Sequence, residues 1–149
     1  MDIIIACDHA GLGFKQDLIR ALEQLGHCCM DCGVYEATPM DYPDITAQLA
    51  QEVLKQGKLG IIICGTGIGV SISANKINGI RAALCYNEYM ARMSRKHNDA
   101  NVLALGSRVI GIDMACAIAA TFLETDFEGG RHQVRVDKVS SLEQNLNNK

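Results

Sequence analysis

The run Leu59-Gly60-Ile61-Ile62-Ile63-Cys64 constrains this chain more than any other segment. It is apolar without alternation, so both faces of whatever it forms must be covered. It is too short for a buried helix, and glycine follows it at once. A strand buried on both faces belongs to a parallel sheet sheathed by helices. Further apolar runs read the same way at Ile3–Cys7, Arg81–Cys85 and Val102–Leu105, with a short one at Cys28–Met30. Between them the apolar positions recur at three- and four-residue spacing. Phe14, Leu18, Leu22 and Leu25 mark a helix stopped by Gly26, and Ile45, Leu49 and Val53 mark one stopped by Gly57. The pattern places further helices from about Gly69 to Ile77, over Glu88–Lys96 and over Ile112–Leu123. Gly129-Gly130 breaks the chain before a polar helix from about Arg131 to Leu146, and Gly33–Asp44, which holds both prolines, reads as a loop.

This alternation is a βαβ succession. It predicts an α/β protein, a three-layer α/β/α sandwich around a Rossmann-like five-stranded parallel sheet. Strand order is not legible. The 149 residues contain no repeat and no linker, so residues 1–149 are expected to form one domain, with a frayed tail at about 145–149. A net charge of −3 gives no bulk attraction to nucleic acid or membrane, so neither is expected as a partner. No apolar stretch has membrane-spanning length, and Met1–Cys7 lacks the basic leader of a signal peptide. Seven cysteines, an odd number lying mostly in apolar runs or helices, imply reduced thiols and a cytoplasmic protein.

In a parallel sheet the carboxyl ends of the strands share one edge, and ligands bind there. Three segments converge on it: Cys7-Asp8-His9, Cys64 to Gly69, and Gly106-Ser107-Arg108. Cys64 has two readings. It is a reactive thiol beside an anion cradle, with Gly65, Gly67 and Gly69 admitting backbone N–H groups and a helix end lowering the thiol pKa. Alternatively, it is a buried structural cysteine before a tight turn. Asp8 and His9 suit acid–base work, or Asp8 caps a helix and His9 is exposed. His97 closes its helix either as a functional group or as a charge complementing the helix dipole. Arg131 and Arg135 share one helical face, as a phosphate site requires and a solvated face permits. Cys29-x-x-Cys32 lacks a second ligand pair and does not open a helix, so neither metal nor disulfide chemistry is expected of it.

The glycine loop fails three familiar patterns. A dinucleotide fingerprint needs glycine or alanine at Val70, a P-loop needs Gly-Lys-Ser/Thr, and a cysteine-phosphatase loop needs arginine at Val70. A small phosphorylated ligand fits better than a nucleotide or a phosphotyrosine.

The chain resembles the ribose/galactose sugar-phosphate isomerase family in its type B ribose-5-phosphate isomerase branch. The resemblance rests on Cys7-Asp8-His9-Ala10-Gly11, Asp41-Tyr42-Pro43, Ile63 to Gly69, Ala74-Asn75-Lys76, Gly79-Ile80-Arg81, Arg95 to Val102, Gly106-Ser107-Arg108 and Glu128 to Arg135. It implies interconversion of D-ribose 5-phosphate and D-ribulose 5-phosphate through an enediolate, without metal or organic cofactor. It assigns Cys64 as the base between C2 and C1. Thr66 and the amides of Gly65, Gly67, Ile68 and Gly69 steady the enediolate oxygens. His97 opens the furanose ring with Asp8 nearby. His9, Arg131 and Arg135 take the phosphate, and Asn98 and Arg108 line the site. A sister branch has glutamate at the loop position held here by Val70, which puts this chain in the cysteine branch. Relatives also isomerise six-carbon substrates, allose 6-phosphate or galactose 6-phosphate, so that alternative stays open. A non-catalytic sugar-phosphate sensor would not need the thiol. The resemblance further implies a homodimer or homotetramer with sites shared between subunits.

Overall fold

A computed structural model describes residues 1–36 and 39–146. In chain order the elements are β1 (Asp2–Cys7), α1 (Leu12–Gln24), β2 (Cys28–Asp31), α2 (Tyr42–Gln56), β3 (Leu59–Cys64), α3 (Ile68–Ala74), β4 (Ala82–Leu84), α4 (Glu88–Asn98), β5 (Val102–Gly106), α5 (Ile112–Glu124) and α6 (Arg131–Leu146). A single 3-10 turn, His9–Gly11, links β1 to α1.

All strand pairs are parallel, in the order β2-β1-β3-β5-β4. The apolar runs are buried on both sides because alternate residues feed two cores. Ile3, Ile5, Ile61, Ile63, Leu103 and Leu105 pack with Leu18 and Leu22 of α1 and with Ile118 and Phe122 of α5. Ile4, Ala6, Ile62, Cys64 and Ala104 pack with Leu49 and Val53 of α2 and with Val70 and Ala74 of α3. The expected three-layer α/β/α, Rossmann-like sandwich is therefore present, with α6 set against α4 at the β4 side.

The strand order sets the location of the crevice. From β1 the chain goes to β2 on one side, then crosses back to β3 on the other. The switch point lies between β1 and β3, where ligands enter outside the carboxyl ends. Cys7 pairs with Ile63 and Cys64 with Gly106, so Asp8, Cys64 and Ser107 emerge side by side.

Several boundaries differ from the sequence reading. Pro43 lies inside the first turn of α2, where its missing N–H has no helical partner to lose. Helix α3 stops at Ala74 instead of Ile77. There the Asn75 side chain takes over the hydrogen bonding, donating to Ser71 O at 3.0 Å and Ala82 O at 2.9 Å and accepting from Ala82 N at 2.8 Å. Helix α4 runs two residues further and includes His97. Of the tail expected to fray, Asn145 and Leu146 are helical and 147–149 lie outside the described residues. Among the described residues no helix is long and apolar enough to cross a membrane.

Candidate active site

Cys64 ends β3 with only 5% of its surface exposed. Its Sγ accepts a hydrogen bond from the backbone N–H of Gly67 at 3.0 Å. That bond requires the loop to fold back on the sulfur, and Gly67 permits it with φ +76°. A Cβ at Gly67 would lie 2.5 Å from Leu84 Cδ1 and 2.9 Å from the carbonyl carbon of Leu105. Helix α3 spans only 7 residues, so the direct N–H contact on sulfur matters more than the helix dipole invoked from sequence. Ile68 N–H bonds Thr66 Oγ1 at 3.3 Å, and Thr66 itself is exposed at the loop tip.

The neighbouring strand ends are stitched to this loop. Asp8 is buried, its N–H bonds Ile63 O at 3.0 Å, and its Oδ1 accepts from Ala10 N at 2.9 Å. The caps therefore draw Asp8 toward its own chain, while exposed His9 points outward. Ser107 N–H bonds Cys64 O at 2.9 Å, and its hydroxyl reaches both Ala10 O at 3.1 Å and Cys64 O at 3.2 Å. Arg108 N–H bonds Gly65 O at 3.0 Å, and its guanidinium lies over Gly65. Sequence reasoning gave no role to Ser107 or to Tyr42, whose ring packs against Gly69, and did not name Tyr86, whose hydroxyl meets Thr66 O at 3.3 Å. None belongs to a residue pattern that signals chemistry, since each acts through a backbone carbonyl or a ring contact.

Two cysteines end strands beside this crevice, and the structure separates them. Burial pushes the Cys7 thiol up to about 11, with Asp31 and Asp8 adding to the rise and Lys15 opposing it. Cys7 is wholly buried and stays protonated near neutrality. Cys64 faces the glycine loop.

The second group of candidates lies elsewhere. Helix α4 starts at the carboxyl edge and returns to the amino edge of the sheet, so His97 and Asn98, in its last turn, sit opposite Cys64. The strands between are five to six residues long, roughly 17–20 Å. Arg131, His132 and Arg135 open α6 at the same amino edge. A cavity of about 480 Å³ there is lined by Arg81, Ser94, His97, Asn98, His132 and Arg135, among others. Arg131 stays exposed outside that lining, so one protomer brings only one of the two arginines to it. The floor is rigid. Asp99, at φ +45°, is clamped between Arg81 Nη2 at 2.9 Å and Arg95 Nη1 at 3.0 Å, which fixes the helix end carrying His97. Two arginines and two histidines line this cavity and no carboxylate is among its described lining residues, which makes it attractive to an anion.

His97, Glu128 and His132 each offer a ligand atom within 4.8 Å of the others. The two rings stack with centroids 4.2 Å apart and planes 8° from parallel. Parallel rings direct their lone pairs side by side and not at a common point, so the trio is not a preformed tetrahedral metal site. Within a protomer Cys64 and Asp8 stand at the ends of paired strands at one edge of the sheet, and His97 lies at the other.

The family model described as Ribose/Galactose Isomerase matches residues 3–139. The chain is 44% identical over 147 residues to ribose-5-phosphate isomerase B of Escherichia coli strain K12, covering 97% of this chain and 98% of that one. Its fold is similar to solved ribose-5-phosphate isomerase B structures. That of Clostridium thermocellum has TM-score 0.95, 48% identity and coverage of 98% and 99%. The type B enzyme of Trypanosoma cruzi has TM-score 0.93, 38% identity and coverage of 97% and 99%.

Proposed function

The chain belongs to the ribose/galactose isomerase family, and on that footing we propose that it interconverts D-ribose 5-phosphate and D-ribulose 5-phosphate with Cys64 as base. One observation carries this reading: a thiol at the β1/β3 switch point, beside Asp8, with a loop amide donating to its sulfur. A sensor has no use for such a thiol.

His97 gives a proton to the furanose ring oxygen as its bond to C1 breaks, and Asp8 assists at the C1 hydroxyl. The Cys64 thiolate then removes the C2 proton of the open aldose. Charge builds on O1, and the amides of Gly65, Gly67, Ile68 and Gly69 and the Thr66 hydroxyl meet the developing enediolate. The proton held on Cys64 Sγ returns to C1 and the O2 proton passes to O1, which completes the ketose and restores the thiolate. His9, Arg131 and Arg135 hold the phosphate, with Asn98 and Arg108 lining the same space. No step calls for a metal or an organic cofactor.

Because the two residue groups lie on opposite sheet edges, a complete site needs two chains. A homodimer, alone or paired into a tetramer, presents the α4/α6 edge of one copy to the crevice of the other. The deciding experiment is turnover of D-ribose 5-phosphate with chelator present, for the wild type and Cys64→Ala. The expected result is wild-type turnover and a loss of roughly a hundredfold or more in the variant, with substrate still bound. A variant as fast as wild type removes Cys64 as base. A wild type active only on allose or galactose 6-phosphate replaces the substrate.

A further inference from the structure

His132 lies in the first turn of α6, yet only 4% of its surface is exposed. The segment before it explains why. Glu128 N–H donates to Lys96 O at 3.1 Å, and Lys96 Nζ meets Glu128 Oε1 at 3.1 Å, so the chain is tied twice to the last turn of α4. Gly129 and Gly130, at φ +65° and +56°, then turn the chain under that helix end. The His132 ring arrives flat against His97, 4.2 Å away. Its Nε2 is buried with no hydrogen-bond partner, and Glu128 Oε2 stands off at 3.6 Å. A buried polar atom left unpaired is costly, and it marks a ring placed for something other than its own hydrogen bonds.

Accepting His97 as the ring-opening acid, we propose that His132 is a positioning residue for it: the stacked ring fixes the plane of the His97 imidazole, and the two rings hold one proton between them. Two imidazolium rings face to face repel, so a second proton is opposed. The surrounding charges point the same way. Arg131 and Arg135 from α6 oppose a proton on His132, and Glu128 favours one. Burial first, then His97 and Arg131, holds His132 below its ordinary value. His132 is thus disfavoured as the protonated partner, and His97 remains the ring that gives a proton to the ring oxygen.

The test is a nitrogen NMR titration of both rings in the intact protein, alongside kinetics of His132→Ala and His132→Phe. In the wild type, the two stacked rings should titrate as a coupled pair, each ring's signal responding to the other's protonation, with His132 below its ordinary value. In His132→Phe the His97 curve should become single-step. The kcat for D-ribose 5-phosphate should fall roughly tenfold or more in His132→Ala and largely recover in His132→Phe, which keeps a flat ring. Inhibition by inorganic phosphate should be the same in all three. Two independent single-site curves overturn the proposal, as does wild-type kcat in His132→Ala. Equal losses in both variants with weakened phosphate binding also overturn it, since they mark a direct ligand contact. The titration judges the pairing without needing turnover, and wild-type turnover judges the reading beneath it.

Discussion

Gly67 shows how one residue serves both fold and chemistry. Its N–H holds the Cys64 sulfur, and its φ of +76° and its contact with Leu105 leave no room for a side chain. Gly67→Ala should destabilise the protein by about 1–3 kcal/mol in urea unfolding and lower kcat at least tenfold. Preserved kcat in a folded variant would detach that amide from the reaction. His132 carries the acid sensitivity. Because its native pKa lies below the ordinary 6.5, the unfolded chain binds more protons as pH falls. Stability is full above about 6.5 and declines as pH drops through the native value. Urea midpoints measured between pH 7.5 and 5.5 should fall less steeply in His132→Phe than in the wild type. The residue patterns at Cys64, Asp8 and Arg131 were legible because each is a chemistry-bearing type at a strand or helix end. The partnership of His132 with His97 was not, because thirty-five positions separate them and only the Gly129-Gly130 turn joins them.

Elements were legible where a periodic apolar pattern decided them, as in β1, β3, α1 and α5. They were misjudged where a single side chain intervened. Asn75 ends α3 early by bonding Ala82, and Pro43 starts α2 because the first turn tolerates it. The segment after β2 hangs on another such side chain. Lys15 of α1 is fully buried, with Nζ 2.7 Å from Asp31 Oδ1 and 2.9 Å from Val34 O. Lys15→Met keeps the volume but strands Asp31, and should cost about 3 kcal/mol by denaturant unfolding. Adding Asp31→Leu should return much of that loss, and a double variant no more stable than the single would rule out the charge pair as the cause. Strand order was hidden for a different reason: every strand has the same apolar signature, and only the crossover directions place β3 beside β1.

At the scale of the whole molecule, the two half-sites face opposite ways. Ile68 and Ile72 expose 49% and 57% of their surface on one face of α3, and Val139 and Leu142 expose 50% and 61% along α6. Such apolar rows fit a subunit interface. Ile72→Asp should shift the protein toward monomer in sedimentation, and specific activity should fall on dilution through the dissociation constant. A monomer with full activity would refute the shared site. The separation of Cys64 from His97 by the width of the sheet also has a consequence for inheritance. Two defective alleles that damage opposite edges would complement each other in a cell carrying both, since a mixed pair keeps one intact site. Two alleles that damage the same edge would not. The two edges of one sheet would then behave as two complementation groups within a single gene.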